Sequence, residues 1–202
     1  MGKLLIINGS PRAPKSNSKQ YVALFQKYWN GESSKVNITP KNHTEICEDM
    51  AHYTDVLLVF PLYVDSIPVT LHNFLKTLEQ HPPKQKPRIS MVVNCGFLEP
   101  EQNQIAVEMI KLFCKQQGYP FLSVLCIGGG EAILNTPFRF LVKRKIKQLV
   151  KSVASHQSLS FQVTMPISKE TYLKASTKYW IRYGAKNGVT KEQMDTMEIE
   201  TN

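Results

Sequence analysis

Lys3-Leu4-Leu5-Ile6-Ile7-Asn8-Gly9-Ser10-Pro11-Arg12, followed by Ser16-Asn17-Ser18, decides the fold. Leu4 to Ile7 is a continuous apolar run. It fits a strand buried on both faces, as in a parallel sheet covered by helices, rather than one with a wet side. The strand breaks at once into a Gly/Ser/Asn loop, and a helical pattern opens after Ser18. A loop of this kind offers backbone N–H groups, small hydroxyls and the positive end of a helix dipole, the chemistry that holds a phosphate. It is neither GxxxxGK[ST] nor GxGxxG, so the ATP and dinucleotide fingerprints are absent. Ser16 and Ser18 also suit a helix cap, which is compatible with an anion at the same place.

The pattern continues outward from this stretch. A helix is expected over Ser18–Trp29, with Val22, Phe25 and Trp29 on one face. A modest strand over Lys35–Thr39 and a short helix within Lys41–Tyr53 come next. Asp55–Phe60 is a second buried strand, stopped by Pro61. Leu71, Phe74, Leu75 and Leu78 then form a helical core stripe, with Pro68 in the first turn. Ile89–Asn94 and Phe121–Ile127 read as buried strands. The helix Glu101–Gln117 between them is expected to bury Ile105, Met109, Leu112 and Phe113 and to end at Gly118. A last long helix over Thr136–Ala154 buries Val142, Ile146, Leu149, Val150 and Val153 and wets Lys143, Lys147 and Lys151. Leu159–Met165 is strand-like. Tyr172, Tyr179, Trp180 and Tyr183 are expected to cover apolar surface, and Thr190-Lys191-Glu192-Gln193 fits a capping box.

Strands alternating with helices predict an α/β fold, a doubly wound five-stranded parallel sheet with helices on both faces and a helical C-terminal extension. The whole chain, 1–202, is expected to be one domain, with a core over about 3–165 and the extension over 166–202. Ligands on such sheets bind beyond the carboxyl ends of the strands. Those ends carry the loops Gly9–Asn17, Pro61–Ile67, Cys95–Pro100 and Gly128–Gly130, the last read as turn geometry. The first loop suits a phosphate. The second presents Tyr63 between prolines, and the third offers Asn94, Phe97 and backbone groups around Gly96. Together they suit a flat heteroaromatic ring with a phosphate tail, such as flavin mononucleotide (FMN).

Composition narrows the remaining classes. The net charge of +9 permits anionic cofactors and substrates, but a solvated basic surface accounts for it and no nucleic-acid partner is expected. No run reaches a membrane span, no signal peptide is expected, and Ile6 stands where a myristoylation motif needs Ser or Thr. Cys47, Cys95, Cys114 and Cys126 form no CxxC. They read as free thiols in a reducing cytoplasm, and neither a zinc site nor an iron–sulfur cluster is expected. Cys95 is read as a wall residue rather than a nucleophile.

The two motifs Asn8-Gly9-Ser10-Pro11-Arg12…Ser16-Asn17-Ser18 and Pro61-Leu62-Tyr63…Ile67-Pro68, each after a buried strand, resemble the flavodoxin-like NAD(P)H-dependent FMN reductases and quinone reductases. The match runs roughly from Lys3 to Val153, and Tyr179-Trp180-Ile181-Arg182-Tyr183-Gly184 is similar to tails of some bacterial members. The resemblance implies an FMN enzyme that passes hydride from NAD(P)H to a quinone-like, nitro/azo or flavin acceptor, often as a homodimer. It implies that Ser10, Ser16, Asn17 and Ser18 hold the phosphate while Arg12 neutralises it. Pro61, Leu62, Tyr63, Val64 and Asp65 would line the ring, and Asn94, Cys95, Gly96 and Phe97 would close its other edge. No separate catalytic residue or metal is required. An electron carrier without its own turnover, or an FMN-binding regulator, would share the same motifs.

Overall fold

The computed structural model describes residues 2–12 and 16–196. The loop residues Ala13, Pro14 and Lys15 therefore lie outside the described residues. The chain divides into two compact units, Met1–Met165 and Pro166–Asn202.

In the first unit the elements are β1 (Leu4–Asn8), α1 (Asn17–Tyr28), β2 (Ser33–Asn37), α2 (His43–Asp49), β3 (Asp55–Pro61), α3 (Val69–Gln80), β4 (Arg88–Asn94), α4 (Gln104–Gln117), β5 (Phe121–Ile127), α5 (Arg139–Ala154) and β6 (Ser160–Val163). Short 3₁₀ turns precede α4 and α5 and follow α2. The sheet has six strands in the order β2-β1-β3-β4-β5-β6, all paired in parallel. The expectation of five strands is corrected by β6. This four-residue strand is mostly exposed but pairs with Val124–Ile127, so the strand-like run after the last long helix extends the sheet at its far edge.

Both faces of the sheet are covered, which is why β1, β3 and β4 carry unbroken apolar runs. One layer packs α2, α3 and α4 against Leu5, Ile7, Val56, Leu58, Phe60, Met91 and Val93. Alternate residues such as Leu4, Ile6, Leu57 and Val92 are also buried, as are Tyr21 and Phe25 of α1 and Val142, Ile146 and Leu149 of α5. The α3 stripe Leu71, Phe74, Leu75 and Leu78 is buried as its spacing predicts.

The α4 expectation is corrected. Its buried face is Ala106, Val107, Ile110 and Cys114, whereas Ile105 and Leu112 are 60 % and 54 % exposed. Met109 and Phe113 are only partly buried. At the N-terminal end of the sheet, Arg88 grips the buried Asp55 carboxylate with two hydrogen bonds of 2.8 and 3.0 Å.

The second unit holds α6 (Lys169–Lys186) and α7 (Lys191–Met194). Thr190 and Gln193 form the predicted capping box. The expected burial of its aromatics is corrected: Tyr179, Trp180 and Tyr183 are each about half exposed.

Candidate functional site

The order β2-β1-β3-β4 reverses direction between β1 and β3, so the loops leaving these two strands diverge and open a crevice. Gly9 lets the first loop leave close to the core. A Cβ there would already touch Leu71 and Phe60 at 3.4 Å, the tight end of ordinary packing. Asn8 shapes the turn: its Oδ1 accepts the Ser10 N–H at 3.1 Å while its Nδ2 donates to Asn37 Oδ1 at 3.0 Å on the neighbouring strand.

Three serine hydroxyls follow, and each oxygen is already an acceptor. Ser10 Oγ accepts the Arg12 N–H at 3.4 Å. Ser16 caps α1 and accepts the Lys19 N–H at 3.3 Å. Ser18 Oγ accepts from Asn94 Nδ2 at 3.4 Å. None of the three donates to another described residue, so each hydroxyl hydrogen remains available to an acceptor in the crevice. Ser16 and Ser18 sit at the N-terminus of a twelve-residue helix, where the dipole favours negative charge, and Ser10 lines the same cavity from the loop after β1.

The second loop is a tight hairpin. Tyr63 and Ser66 exchange backbone hydrogen bonds, each 2.9 Å, across Val64 and Asp65. Both central residues are left-handed, with φ of 47° and 55°. A turn of this kind ordinarily takes Asn-Gly. A β-branched residue there is a backbone outlier, and such strain concentrates at functional sites. Val64 is also 96 % exposed.

Asn94 joins the loops. Besides reaching Ser18, its side chain donates to Phe60 O at 3.1 Å, and its carbonyl accepts the Leu62 N–H at 2.7 Å. The fourth loop is fastened to the third, because Gly130 N–H donates to Cys95 O at 2.8 Å. It is fastened to α1 as well, since the buried Tyr21 hydroxyl donates to Gly130 O at 2.7 Å. Burial drives the Tyr21 pKa strongly upward and keeps it a neutral donor. A Cβ on Gly130 would lie 2.7 Å from Asn94 Cβ, so only glycine permits this approach.

The result is one cavity of about 660 Å³, lined by Ser10, Arg12, Ser16, Asn17, Ser18, Pro61, Leu62, Tyr63, Val64, Asn94 and Gly96, together with Lys19, Gln20 and Glu131. Asp65, Cys95 and Phe97 are not among its lining residues. Asp65 is at the exposed tip of the hairpin. Cys95 points beneath the loop, where its sulfur accepts from Asn103 Nδ2 at 3.3 Å and lies 3.6 Å from Phe97 O. Burial pushes this thiol's pKa up, against a role as a thiolate. Phe97 is exposed outside the cavity.

Lys19, Gln20 and Glu131 are the lining residues that sequence reasoning missed. Lys19 and Gln20 fall one turn into α1 from Ser16, a spacing that was legible in the sequence. Glu131 follows the three glycines and is brought in by the ties of Gly130 to Cys95 and Tyr21.

A scan of protein-family models and a search of curated proteins each return no match. Solved structures do match. An NAD(P)H:quinone oxidoreductase from Methanothermobacter marburgensis superposes with a TM-score of 0.60 at 12 % identity, covering 77 % of this chain and 98 % of that one. An FMN-dependent NADH-azoreductase from Bacillus anthracis, solved in complex with FMN, gives 0.57 at 14 % identity over 75 % and 99 % of the two chains. A Streptococcus pneumonia flavodoxin gives 0.56 at 11 % identity over 75 % and 98 %.

The fold is flavodoxin-like.

On this flavodoxin-like frame the crevice is polar and cationic at the α1 end, through Arg12 and Lys19. It is walled by Pro61–Val64 on one side and by Asn94 and Gly96 on another. Its volume falls in the range of small-molecule sites.

Proposed function

We propose that this chain is an FMN-dependent oxidoreductase that takes hydride from NAD(P)H and delivers reducing equivalents to a quinone-like, nitro/azo or flavin acceptor. The observation that carries the reading is the set of three serine hydroxyls, Ser10 in the first loop and Ser16 and Ser18 at the N-terminus of α1, each with its oxygen engaged by the protein and its hydrogen given to no other described residue.

Such a set matches a phosphate monoester, which accepts hydrogen bonds through every exposed oxygen. Arg12 and Lys19 line the same end and balance its charge. The rest of the cavity suits a ring. Pro61, Leu62, Tyr63 and Val64 give an apolar wall, and Asn94 and Gly96 give polar and backbone groups at its edge. The residues present therefore fit FMN. Ser10, Ser16, Asn17 and Ser18 hold the phosphate; the hairpin and the Asn94–Gly96 segment hold the ring. Bound FMN supplies the hydride and electron chemistry. The protein's share is to fix the ring, keep one face open to NAD(P)H and then to the acceptor, and hold Tyr63 as the flat contact beside it. The strained hairpin is the adjustable part of this wall.

The same reading includes a homodimer. Its support is the α4 stripe of Ile105, Met109 and Leu112. These apolar residues share a helical face on which Ile105 and Leu112 are more than half exposed and Met109 is partly buried. It also includes a cytoplasmic location, supported by four buried cysteines that are all free thiols. No helix among the described residues is long and apolar enough to cross a membrane.

The test is an absorption spectrum of the purified protein with and without added FMN, followed by NADH and NADPH oxidation with a quinone or azo dye. Visible flavin bands that stay with the protein on desalting, and acceptor-dependent oxidation, are expected. A protein that neither retains nor binds FMN overturns the reading. FMN binding without turnover would leave an electron carrier.

A further inference from the structure

The second unit poses a separate problem. Helix α6 spans eighteen residues, yet Gly184 is its only buried one among the described residues. Leu173, Tyr179, Trp180 and Tyr183 are each 47–57 % exposed. At helical spacing Leu173 and Trp180 fall one above the other, and Tyr179 and Tyr183 flank them. The rings form one aromatic patch. Tyr179 meets Trp180 edge-on with centroids 5.2 Å apart, and Trp180 meets Tyr183 edge-on at 5.8 Å.

Cations recur at every fourth position: Lys174, Lys178 and Arg182 lie away from the aromatics, and Lys186 comes round beside Tyr179 and Tyr183. Lys174 is paired with Glu170 at 2.7 Å. Lys178, Arg182 and Lys186 have no ion-pair partner among the described residues. A row of cations beside an aromatic stripe on one helix is the pattern of a segment that lies in the plane of a membrane surface. Trp and Tyr enter the headgroup layer while Lys and Arg stems reach anionic phosphates.

We propose that α6 is a peripheral membrane anchor whose partner is the surface of a bilayer containing anionic phospholipid. Charge selects this occupant over a second copy of the chain. Two copies of a chain that each carry a net charge of +9 and unpaired cations on α6 repel one another, whereas an anionic bilayer attracts and neutralises them. The net charge of +9 on the whole chain adds a long-range attraction of the same sign. This inference goes beyond the redox reading and does not depend on it. In the cell it would hold the enzyme where lipid-dissolved electron acceptors are concentrated.

The test is co-sedimentation of the full chain with phosphatidylcholine vesicles, either pure or containing about one-third phosphatidylglycerol. The proposal expects binding to the anionic vesicles, little to the neutral ones, and a blue shift of Trp180 emission in a Trp29→Phe background. The double variant K178Q/R182Q changes two exposed side chains and should weaken partitioning roughly 30-fold, from the loss of two surface-bound cations. W180A/Y183A should abolish the remainder. Circular dichroism of each variant checks that the helix persists. Absence of binding to anionic vesicles, or equal binding to neutral ones, overturns the proposal. So does a W180A/Y183A variant that binds vesicles normally but loses self-association, which would assign the patch to a second copy.

Discussion

Replacing Val64 with glycine separates the strain in the hairpin from its use. Val64 has φ of 47° and is 96 % exposed, so its side chain contributes almost no burial to the fold. The left-handed region costs an L-residue about 1–2 kcal/mol. Glycine removes that cost but adds about 0.5–1 kcal/mol of unfolded-state entropy. The balance is a stabilisation of about 0.5–1 kcal/mol, or roughly 2 °C in Tm for a chain of this length. Cofactor binding should move the opposite way. A valine side chain that becomes covered by the flavin contributes about 1.5 kcal/mol, so V64G should weaken FMN about ten-fold. Thermal denaturation of the FMN-free protein and a flavin fluorescence titration read the two effects separately. A fall in Tm on Val64→Gly would refute the strain argument. An unchanged FMN affinity would refute the placement of this residue against the ring.

Three further outcomes follow from the packing. Ile105→Glu with Leu112→Glu alters side chains that the chain leaves exposed, so it should turn a dimer into a folded monomer by sedimentation or light scattering; a persisting dimer would exclude the α4 stripe as the interface. Arg88→Met leaves the buried Asp55 carboxylate without its two-pronged partner and should cost about 3 kcal/mol in urea unfolding, a loss under about 1 kcal/mol arguing against the pair as a structural clamp. Burial raises Cys47 from 9.0 to about 11 and Cys114 and Cys126 to about 12. Unfolded thiols ionise from about pH 9 while these folded ones keep their protons, so this stability is full below pH 9 and is lost between there and about pH 12. Denaturant midpoints taken below pH 9 and one to two units above it should fall, and a flat profile would contradict the burial.

Much of the fold was legible because apolar periodicity and loop chemistry agreed. Leu4–Ile7 and Asp55–Phe60 could only be central strands, and Leu71–Leu78 had a single apolar stripe to bury. Helix α4 was misread because it carries two stripes. Ile105, Met109 and Leu112 outscore Ala106, Val107, Ile110 and Cys114 in hydrophobicity, yet the smaller set faces the sheet, where close approach matters more than size. The sixth strand was legible as the strand-like run Leu159–Met165, but only its pairing with β5 makes it a member of the sheet. At the site, the serine loop and the tyrosine hairpin were readable as strand-end loops. Cys95 turns inward to Asn103, and Glu131 arrives through the ties of Gly130 to Cys95 and Tyr21, contacts that no local pattern encodes.

The central claim is that the α1 serines grip a phosphate at the end of a flavin. The most direct measurement is the quenching of flavin fluorescence by the protein, titrated with FMN and with riboflavin, which lacks the phosphate. The account predicts that FMN binds at least about 100-fold more tightly, since two charge-assisted hydrogen bonds contribute about 3 kcal/mol. Ser16→Ala with Ser18→Ala should collapse that difference while leaving riboflavin binding unchanged. Equal affinity for the two flavins, or an undiminished preference for FMN in the double variant, would contradict it.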